Sequence, residues 1–227
     1  EALPFTIGLT PAPSSVFTLR CTDQQATFSS VSGVGSFTNS ITMTEDQDNS
    51  GYPNDTQGFS FGISHDANLL SVIDVHQGAI LQAMNGGAGA DYFQVGIYPD
   101  GCTVGCIYDF QNITVAQFPT ETELTTADYE TVAGTLAGTE AGDTIVTQLT
   151  PIAGLGPNGV TLVMVVGGQS NAMVGDSGEI SLVATGGFDR GDCNDDGLFD
   201  IADPITLLDN LFLGGFVPCD DACDGND

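Results

Sequence analysis

Side chains that carry oxygen recur at close and regular spacing in residues 192–203. They occupy positions 1, 3, 5, 9 and 12 of this twelve-residue stretch: Asp192, Asn194, Asp196, Asp200 and Asp203. Gly197 at position 6 allows a sharp turn, and Leu198 at position 7 offers its backbone carbonyl. Ca²⁺ binds six to eight hard oxygen ligands, and these positions are typical of a loop that wraps around it. The stretch therefore predicts a calcium site.

The elements beside this loop differ on its two sides. After Asp203, Pro204 suits a first helical position, and Gly214 can end the helix. The apolar residues between them recur at helical spacing: Ile205, Leu207, Leu208, Leu211 and Phe212. Before the loop, residues 178–184 alternate like a strand and residues 186–191 indicate a turn. We expect a helix on the C-terminal side alone.

A calcium loop that is followed but not preceded by a helix, with Asp at position 12, resembles the dockerin family. Dockerins carry two such units in tandem. Asp224 and Asn226 stand at positions 1 and 3 of a second loop, which we expect to be cut short, so they form a possible second metal site. The resemblance also implies partner-binding residues on the loop and helix: Ile201, Ala202, Leu208, Asn210 and Leu211.

Composition indicates the compartment and excludes two classes of partner. The 227 residues include 30 acidic residues, two Arg and no Lys, for a formal net charge of −28. Such a chain cannot neutralise phosphates, so we expect no nucleic-acid partner. No apolar run is long enough to span a bilayer. Bound cations would relieve the charge repulsion, which also favours calcium.

Cysteine usage points to an extracellular, secreted or cell-surface protein. An even number of cysteines beside a calcium loop predicts an oxidising setting with disulfides. The candidates are Cys21, Cys102, Cys106, Cys193, Cys219 and Cys223. The last three cluster in the loop–helix part, where we expect one bonded pair.

Residues 1–185 have the pattern of a β protein. Short apolar or alternating runs recur between turn signals, which is typical of a two-sheet sandwich. The runs are residues 5–9, 58–63, 92–98, 104–110, 144–149 and 160–166. Residues 125–131 indicate either a short helical turn or a strand.

Residues 58–75 resemble the cohesin family, whose pattern joins two strands. The inward-facing residues alternate along those strands: Phe59, Phe61 and Ile63, then Leu70, Val72 and Val75. His65 stands where the family usually has Tyr, and residues 141–144 resemble the turn before a late cohesin strand. The resemblance implies a nine-stranded jelly-roll β-sandwich. The predicted fold is mostly β, with a cohesin-like sandwich over residues 1–187 and a small dockerin-like α module over residues 188–227.

The sequence supports a catalytic site less well than it supports a binding protein. Residues 168–171 resemble the nucleophile motif of sugar O-acetylesterases, but the two histidines, His65 and His76, both precede Ser170, and a turn between strands explains the motif better. Without Trp and with five Tyr, few rings can stack on sugars. We expect that the protein is not an enzyme. Asn54 and Asn112 begin glycosylation sequons.

The two resemblances together imply assembly. A linker as short as residues 189–191 hinders docking of the tail on its own sandwich, so docking between copies is favoured. Such a contact is head to tail and generates a calcium-dependent filament or surface array. Residues 1–13 can belong to their own sandwich or add a strand to a neighbour's sheet. The alternative is a non-catalytic C-terminal anchoring fragment of a larger secreted enzyme or adhesin, with a cohesin or dockerin protein as partner.

Overall fold

A computed structural model describes residues 16–186, 193–194 and 201–215 of the chain. Within these ranges it has twelve strands: β1 (Phe17–Cys21), β2 (Gln24–Ser29), β3 (Ser36–Glu45), β4 (Thr56–Ser64), β5 (Leu70–Gln77), β6 (Tyr92–Tyr98), β7 (Gly101–Ile107), β8 (Thr122–Thr131), β9 (Thr144–Ile152), β10 (Val163–Val166), β11 (Gln169–Asp176) and β12 (Gly178–Thr185). The helices are α1 (Ala79–Gln82), α2 (Ala133–Leu136) and α3 (Ala202–Leu213), with a 3₁₀ turn at Met84–Gly86. The mostly β prediction is confirmed, but the expected nine strands are too few.

Neighbouring strands follow the order β2-β12-β9-β4-β10-β11-β1-β3-β8-β5, with β7 beside β4 and β6 beside β7. Strand β4 pairs antiparallel with β7, β9 and β10. Strand β1 pairs parallel with β11 and antiparallel with β3. Strands that lie far apart in the chain are therefore neighbours in the sheet.

The chain divides into two compact units. The described residues of the first unit are 16–24, 37–130 and 147–180. The described residues of the second unit are 25–36, 131–146, 181–186, 193–194 and 201–215. The predicted boundary between residues 187 and 188 and the predicted N-terminal strand within residues 1–13 lie outside the described residues.

The core of the first unit contains the alternating residues that the sequence predicted. Phe59, Phe61 and Ile63 of β4 are buried, and so are Leu70, Val72 and Val75 of β5. The rings of Phe59 and Phe61 stack with centroids 5.5 Å apart. The alternation of β5 shifts by one residue after Ile73, and Val75 therefore still faces inward.

A carboxylate ends strand β7 earlier than expected. The sequence predicted a strand over residues 104–110, but β7 is Gly101–Ile107. The Asp109 carboxylate accepts backbone N–H groups from Gln111 at 2.6 Å, Ile113 at 3.1 Å and Thr114 at 3.0 Å. These bonds close a turn in place of the last part of the predicted strand.

The surrounding strands confirm one local prediction and shift another: the turn predicted at residues 168–171 lies at residues 167–168, and residues 169–171 belong to β11. Residues 125–131 lie inside β8, so the strand reading is correct. Residues Gly167 and Gly168 link β10 to β11 with φ values of 56° and 74°, and Val166 pairs with Gln169. A two-residue hairpin turn with positive φ at both positions favours glycine, which explains the motif around Ser170 without catalysis.

The second unit has its own small apolar centre. Phe28 of β2, Leu136 of α2 and Leu182 of β12 are each buried to 1% exposure or less. The Thr131 hydroxyl donates to the carbonyl of Gly33 at 2.7 Å. The predicted turn at residues 141–144 is present at Ala141 and Gly142, and its last residue, Thr144, begins β9.

Three of the six predicted disulfide cysteines are free thiols. Cys21, Cys102 and Cys106 are buried and unbonded. Cys102 and Cys106 lie four residues apart on β7, roughly 13 Å along the strand and beyond disulfide reach. Burial raises the pKa of both to about 12 and raises that of Cys21 further, so they remain thiols at neutral pH. Cys193 is disulfide-bonded, and Cys219 and Cys223 lie outside the described residues.

Candidate docking helix and sheet face

Helix α3 follows the predicted calcium loop. It begins at Ala202, two residues earlier than the sequence suggested, and Pro204 lies in its first turn, where backbone N–H groups have no helical partner. Gly214 ends it in the left-handed conformation, with φ at 74°. The Asn210 side-chain amide donates to the carbonyl of Gly215 at 2.8 Å, which fastens the last turn.

The burial pattern of α3 is the reverse of that of an ordinary surface helix. Asp203 in its first turn is 1% exposed, while Ile205, Leu208 and Phe212 are 59%, 52% and 76% exposed. Residues spaced by three and four positions share one helix face, so these three form a continuous apolar stripe. The stripe borders an apolar groove of about 370 Å³. An exposed apolar face of this kind is a candidate interaction surface.

The predicted partner-binding residues are accessible on or beside this helix. Ile201, Leu208 and Leu211 are exposed, at 77%, 52% and 63%. Ala202 and Asn210 are half-buried, and the amide of Asn210 is engaged in the cap described above. The structure therefore gathers these residues around one short helix.

The structure describes two of the predicted calcium ligands. Asn194 lies in a turn, and Asp203 is buried at the start of α3. The remaining ligand candidates lie outside the described residues: Asp192, Asp196, Leu198, Asp200, Asp224 and Asn226. Within the described ranges, no group of three or more His, Cys, Asp or Glu residues could hold a metal.

The position of Asp203 is compatible with the predicted calcium site. Its side chain is buried at the start of α3, at the last position of the predicted loop. Carboxylate oxygens are hard ligands of the kind that Ca²⁺ prefers.

The first unit carries a polar network on strands β3, β8 and β5 that the sequence did not reveal. The Thr38 hydroxyl donates to Asp128 Oδ1 at 2.6 Å, and His76 Nε2 lies 2.9 Å from Asp128 Oδ2. These hydrogen bonds, that of Thr38 first, hold the pKa of Asp128 below its ordinary value. Because the three residues are far apart in the chain, no sequence motif could have linked them. They form a second candidate recognition surface.

The histidine and serine motifs do not assemble a catalytic triad. His65 is 7% exposed, and burial lowers its pKa. Its ring stands edge-on to Tyr129 with centroids 5.8 Å apart, which is the packing role of an aromatic residue. The Ser64 hydroxyl donates to the carbonyl of Thr150, and Asp66 accepts the backbone N–H of Asn68. Ser170 lies in the β10–β11 hairpin.

The two sequons differ in accessibility. The Asn54 side-chain amide donates to Glu45 and to the carbonyl of Ser50, which restrains the nitrogen that would carry a glycan. Asn112 is exposed in a turn with φ at 56°. Asn112 is therefore the more accessible candidate.

Comparison with solved structures concerns the sandwich. A chain in the crystal structure of a type I cohesin–dockerin complex from Clostridium thermocellum is 10% identical, with 77% of this chain and 98% of that chain covered at a TM-score of 0.53. The fold is cohesin-like. The seventh ScaB type I cohesin of Pseudobacteroides cellulosolvens (14% identity, 76% and 96% coverage, TM-score 0.49) and the cohesin module of a Clostridium perfringens family 33 glycoside hydrolase (7%, 76% and 98%, 0.46) also match.

The cohesin-like fold is thus supported by structure rather than by sequence. No protein-family profile and no curated protein matches the chain. The dockerin-like resemblance of residues 188–227 stays a prediction. In the described part of the chain, no helix is long and apolar enough to cross a membrane.

Proposed function

We propose that this chain is an extracellular, non-catalytic assembly protein whose helix α3 docks on the cohesin-like sandwich of another copy. Repetition of that contact joins subunits head to tail. A donor surface and an acceptor surface that differ make a heterologous contact, which extends into a filament or array when it does not close a ring.

The observation that carries this proposal is the reversed burial of α3. Its large apolar side chains face outward, while its buried residue is a carboxylate. Covering Ile205, Leu208 and Phe212 would each contribute about 1.5–3 kcal/mol before the costs of association. In a chain with a net charge of −28, such a stripe is a local exception to a strongly charged composition.

Calcium has a structural role in this proposal. The acidic loop would repel itself without a cation, and Asp203 connects the loop to the first turn of α3. Residues Asp192, Asn194, Asp196, Asp200 and Asp203 with the carbonyl of Leu198 would hold the ion. The cation would fix the start of the docking helix and take no part in a reaction.

Two facts support a cohesin-like acceptor. The sandwich is similar to a chain from a complex described as cohesin–dockerin, and the Thr38–Asp128–His76 network offers fixed hydrogen-bonding groups on an exposed sheet face. Fixed polar groups beside apolar contacts give an interface its register.

Sedimentation velocity over a range of protein concentrations, with millimolar calcium or with a chelator, tests the proposal. We expect concentration-dependent growth in calcium and monomers in chelator. A chain that stays monomeric in calcium at high concentration would contradict self-assembly and leave the alternative, an anchoring fragment that docks to a different protein. Growth that is equal in chelator would contradict the role of calcium.

A further inference from the structure

A second surface of the first unit is built differently from the docking helix. On strand β6, Tyr92, Gln94, Gly96 and Tyr98 alternate onto one face. With neighbouring residues of β7 and β4 and with residues 155–156 and 158–161, they line a groove of about 360 Å³. The groove lies entirely within the first unit.

Strand register places a glycine at the centre of the groove floor. Gln94 of β6 pairs with Gly105 of β7, and Gly105 pairs with Ser60 of β4. A side chain at position 105 would therefore stand between the other two and fill the groove. Glycine at this position leaves that space open.

Packing does not explain this glycine, although it explains two others nearby. A Cβ at Gly58 would lie 2.4 Å from the carbonyl oxygen of Cys106, and one at Gly62 would lie 2.9 Å from that of Ile152. At Gly105 the nearest atom would be Cε1 of Tyr92, at an ordinary 3.7 Å. Glycine within a strand costs about 0.5–1 kcal/mol relative to alanine. An unforced glycine there indicates close approach of a ligand or another backbone.

The walls of the groove present hydrogen-bonding groups and aromatic rings without charge. None of the lining residues is Asp, Glu, Lys, Arg or His. The Tyr92 hydroxyl donates to Gln94 Oε1, which leaves the side-chain N–H groups of Gln94 without a hydrogen bond in the described part of the chain. Asn158 adds a second amide, and Tyr98 lies against Gly156. Tyrosine combines a flat apolar ring with a polar hydroxyl.

These features select the chemical class of the ligand. A cation would find no carboxylate in the groove, and an anion would be repelled by the net charge of the chain. A neutral molecule with many hydroxyl groups can donate to and accept from amides and hydroxyls while its C–H faces lie on the tyrosine rings. We propose that this groove binds an uncharged carbohydrate. Because the groove is open, the ligand can be a segment of a polysaccharide.

This proposal revises the expectation that sugar-stacking residues are too few. Two of the five tyrosines of the chain lie six positions apart on one strand and on the same face. Their alignment follows from the strand period, and the glycine floor between them follows from the pairing of β6 with β7. The carbohydrate proposal is independent of the docking proposal, because it uses a different surface and does not require calcium.

Native gel electrophoresis through gels that contain soluble polysaccharides tests the carbohydrate proposal. The probes are xyloglucan, mixed-linkage β-glucan and galactomannan, with polygalacturonate as the anionic comparison. The variants are Tyr92→Ala, which removes a stacking ring, and Gly105→Val, which fills the floor. Ile73→Ala on β5, whose side chain is 48% exposed, is the control. Valine favours strands, so Gly105→Val should unfold at the same or a higher denaturant concentration than the native chain.

We expect at least one neutral polysaccharide to retard the native chain and the Ile73→Ala control. Tyr92→Ala and Gly105→Val should each weaken that retardation at least tenfold in apparent affinity. The proposal is overturned if no neutral probe retards the native chain, if polygalacturonate alone does, or if a folded Gly105→Val variant is retarded as strongly as the native chain.

Discussion

Strand β4 and helix α3 use the same kinds of residues in opposite ways. On β4, Phe59, Phe61 and Ile63 alternate inward and are nearly inaccessible to solvent. On α3, Ile205 and Phe212 repeat at helical spacing and are more than half exposed. Both patterns are regular, so burial on β4 and exposure on α3 are properties of a whole face of each element.

Each element therefore uses its apolar residues for a different purpose. The apolar side chains of β4 are buried within the first unit and stabilise the fold. The apolar stripe of α3 is not covered by the described part of the chain, so it is available for association. A contact that buries the α3 stripe would convert exposed area into binding free energy at roughly 25 cal/mol per Å², less the cost of ordering the partners.

The largest expected effect is on the fold. Phe61→Ala removes a fully buried ring from β4. It should lower the free energy of unfolding by about 3–5 kcal/mol, because the cavity adds to the lost burial. Denaturant unfolding measures this, with Ile73→Ala as a control that should change the value by about 0.5 kcal/mol or less. A small effect of Phe61→Ala would mean that β4 is not a core strand.

Next in size is the effect of the α3 stripe on association. Leu208→Asp places a charge in the exposed apolar face and should weaken self-association at least roughly tenfold in calcium, with little change in unfolding. Val174→Asp is the matched control, since Val174 is 53% exposed against 52% for Leu208. Equal losses in both variants, measured by sedimentation, would point to added charge rather than to this surface.

The calcium loop gives the third comparison, between two carboxylates of one helix. Asp203→Asn keeps the shape of a buried residue but removes a charged ligand, and we expect calcium affinity to fall roughly tenfold or more. Asp209→Asn changes an exposed carboxylate of α3 and should leave the affinity unchanged. Titration calorimetry distinguishes them. Equal affinities in the two variants would remove Asp203 from the metal site.

The smallest effect concerns the sheet-face network. The pKa of Asp128 is held low by Thr38 and His76. Its ionised form thus contributes stability above the unfolded pKa of about 4, and this contribution is lost as pH falls through the lower folded value. Asp128→Asn should flatten the decline in stability between about pH 5 and pH 3. A decline that Asp128→Asn leaves unchanged would contradict the network.

Local patterns explain what could be predicted from the sequence. The alternation in β4 and in the first part of β5, the presence of a glycine turn between β10 and β11 and the end of α3 at Gly214 each depend on neighbours within a few positions. The end of β7 was placed wrongly because the Asp109 carboxylate captures backbone N–H groups that a strand would otherwise pair. That choice depends on the geometry of a turn rather than on hydrophobic period.

Long-range relations explain what could not be predicted. Cys102 and Cys106 cannot bond to each other because they lie four residues apart on one strand, which the count of cysteines does not reveal. The Thr38–Asp128–His76 network and the floor at Gly105 arise from pairing between distant strands. Sequence spacing carries no information about such register.

Electron microscopy of mixtures tests the central claim most directly. A Leu208→Asp chain keeps its sandwich but loses its docking helix face, so it can accept a neighbour but cannot donate to one. In calcium, we predict filaments of the native chain that shorten steadily as the variant fraction rises, since each variant terminates one growing end. Filament length that does not depend on the variant fraction would contradict head-to-tail docking through α3.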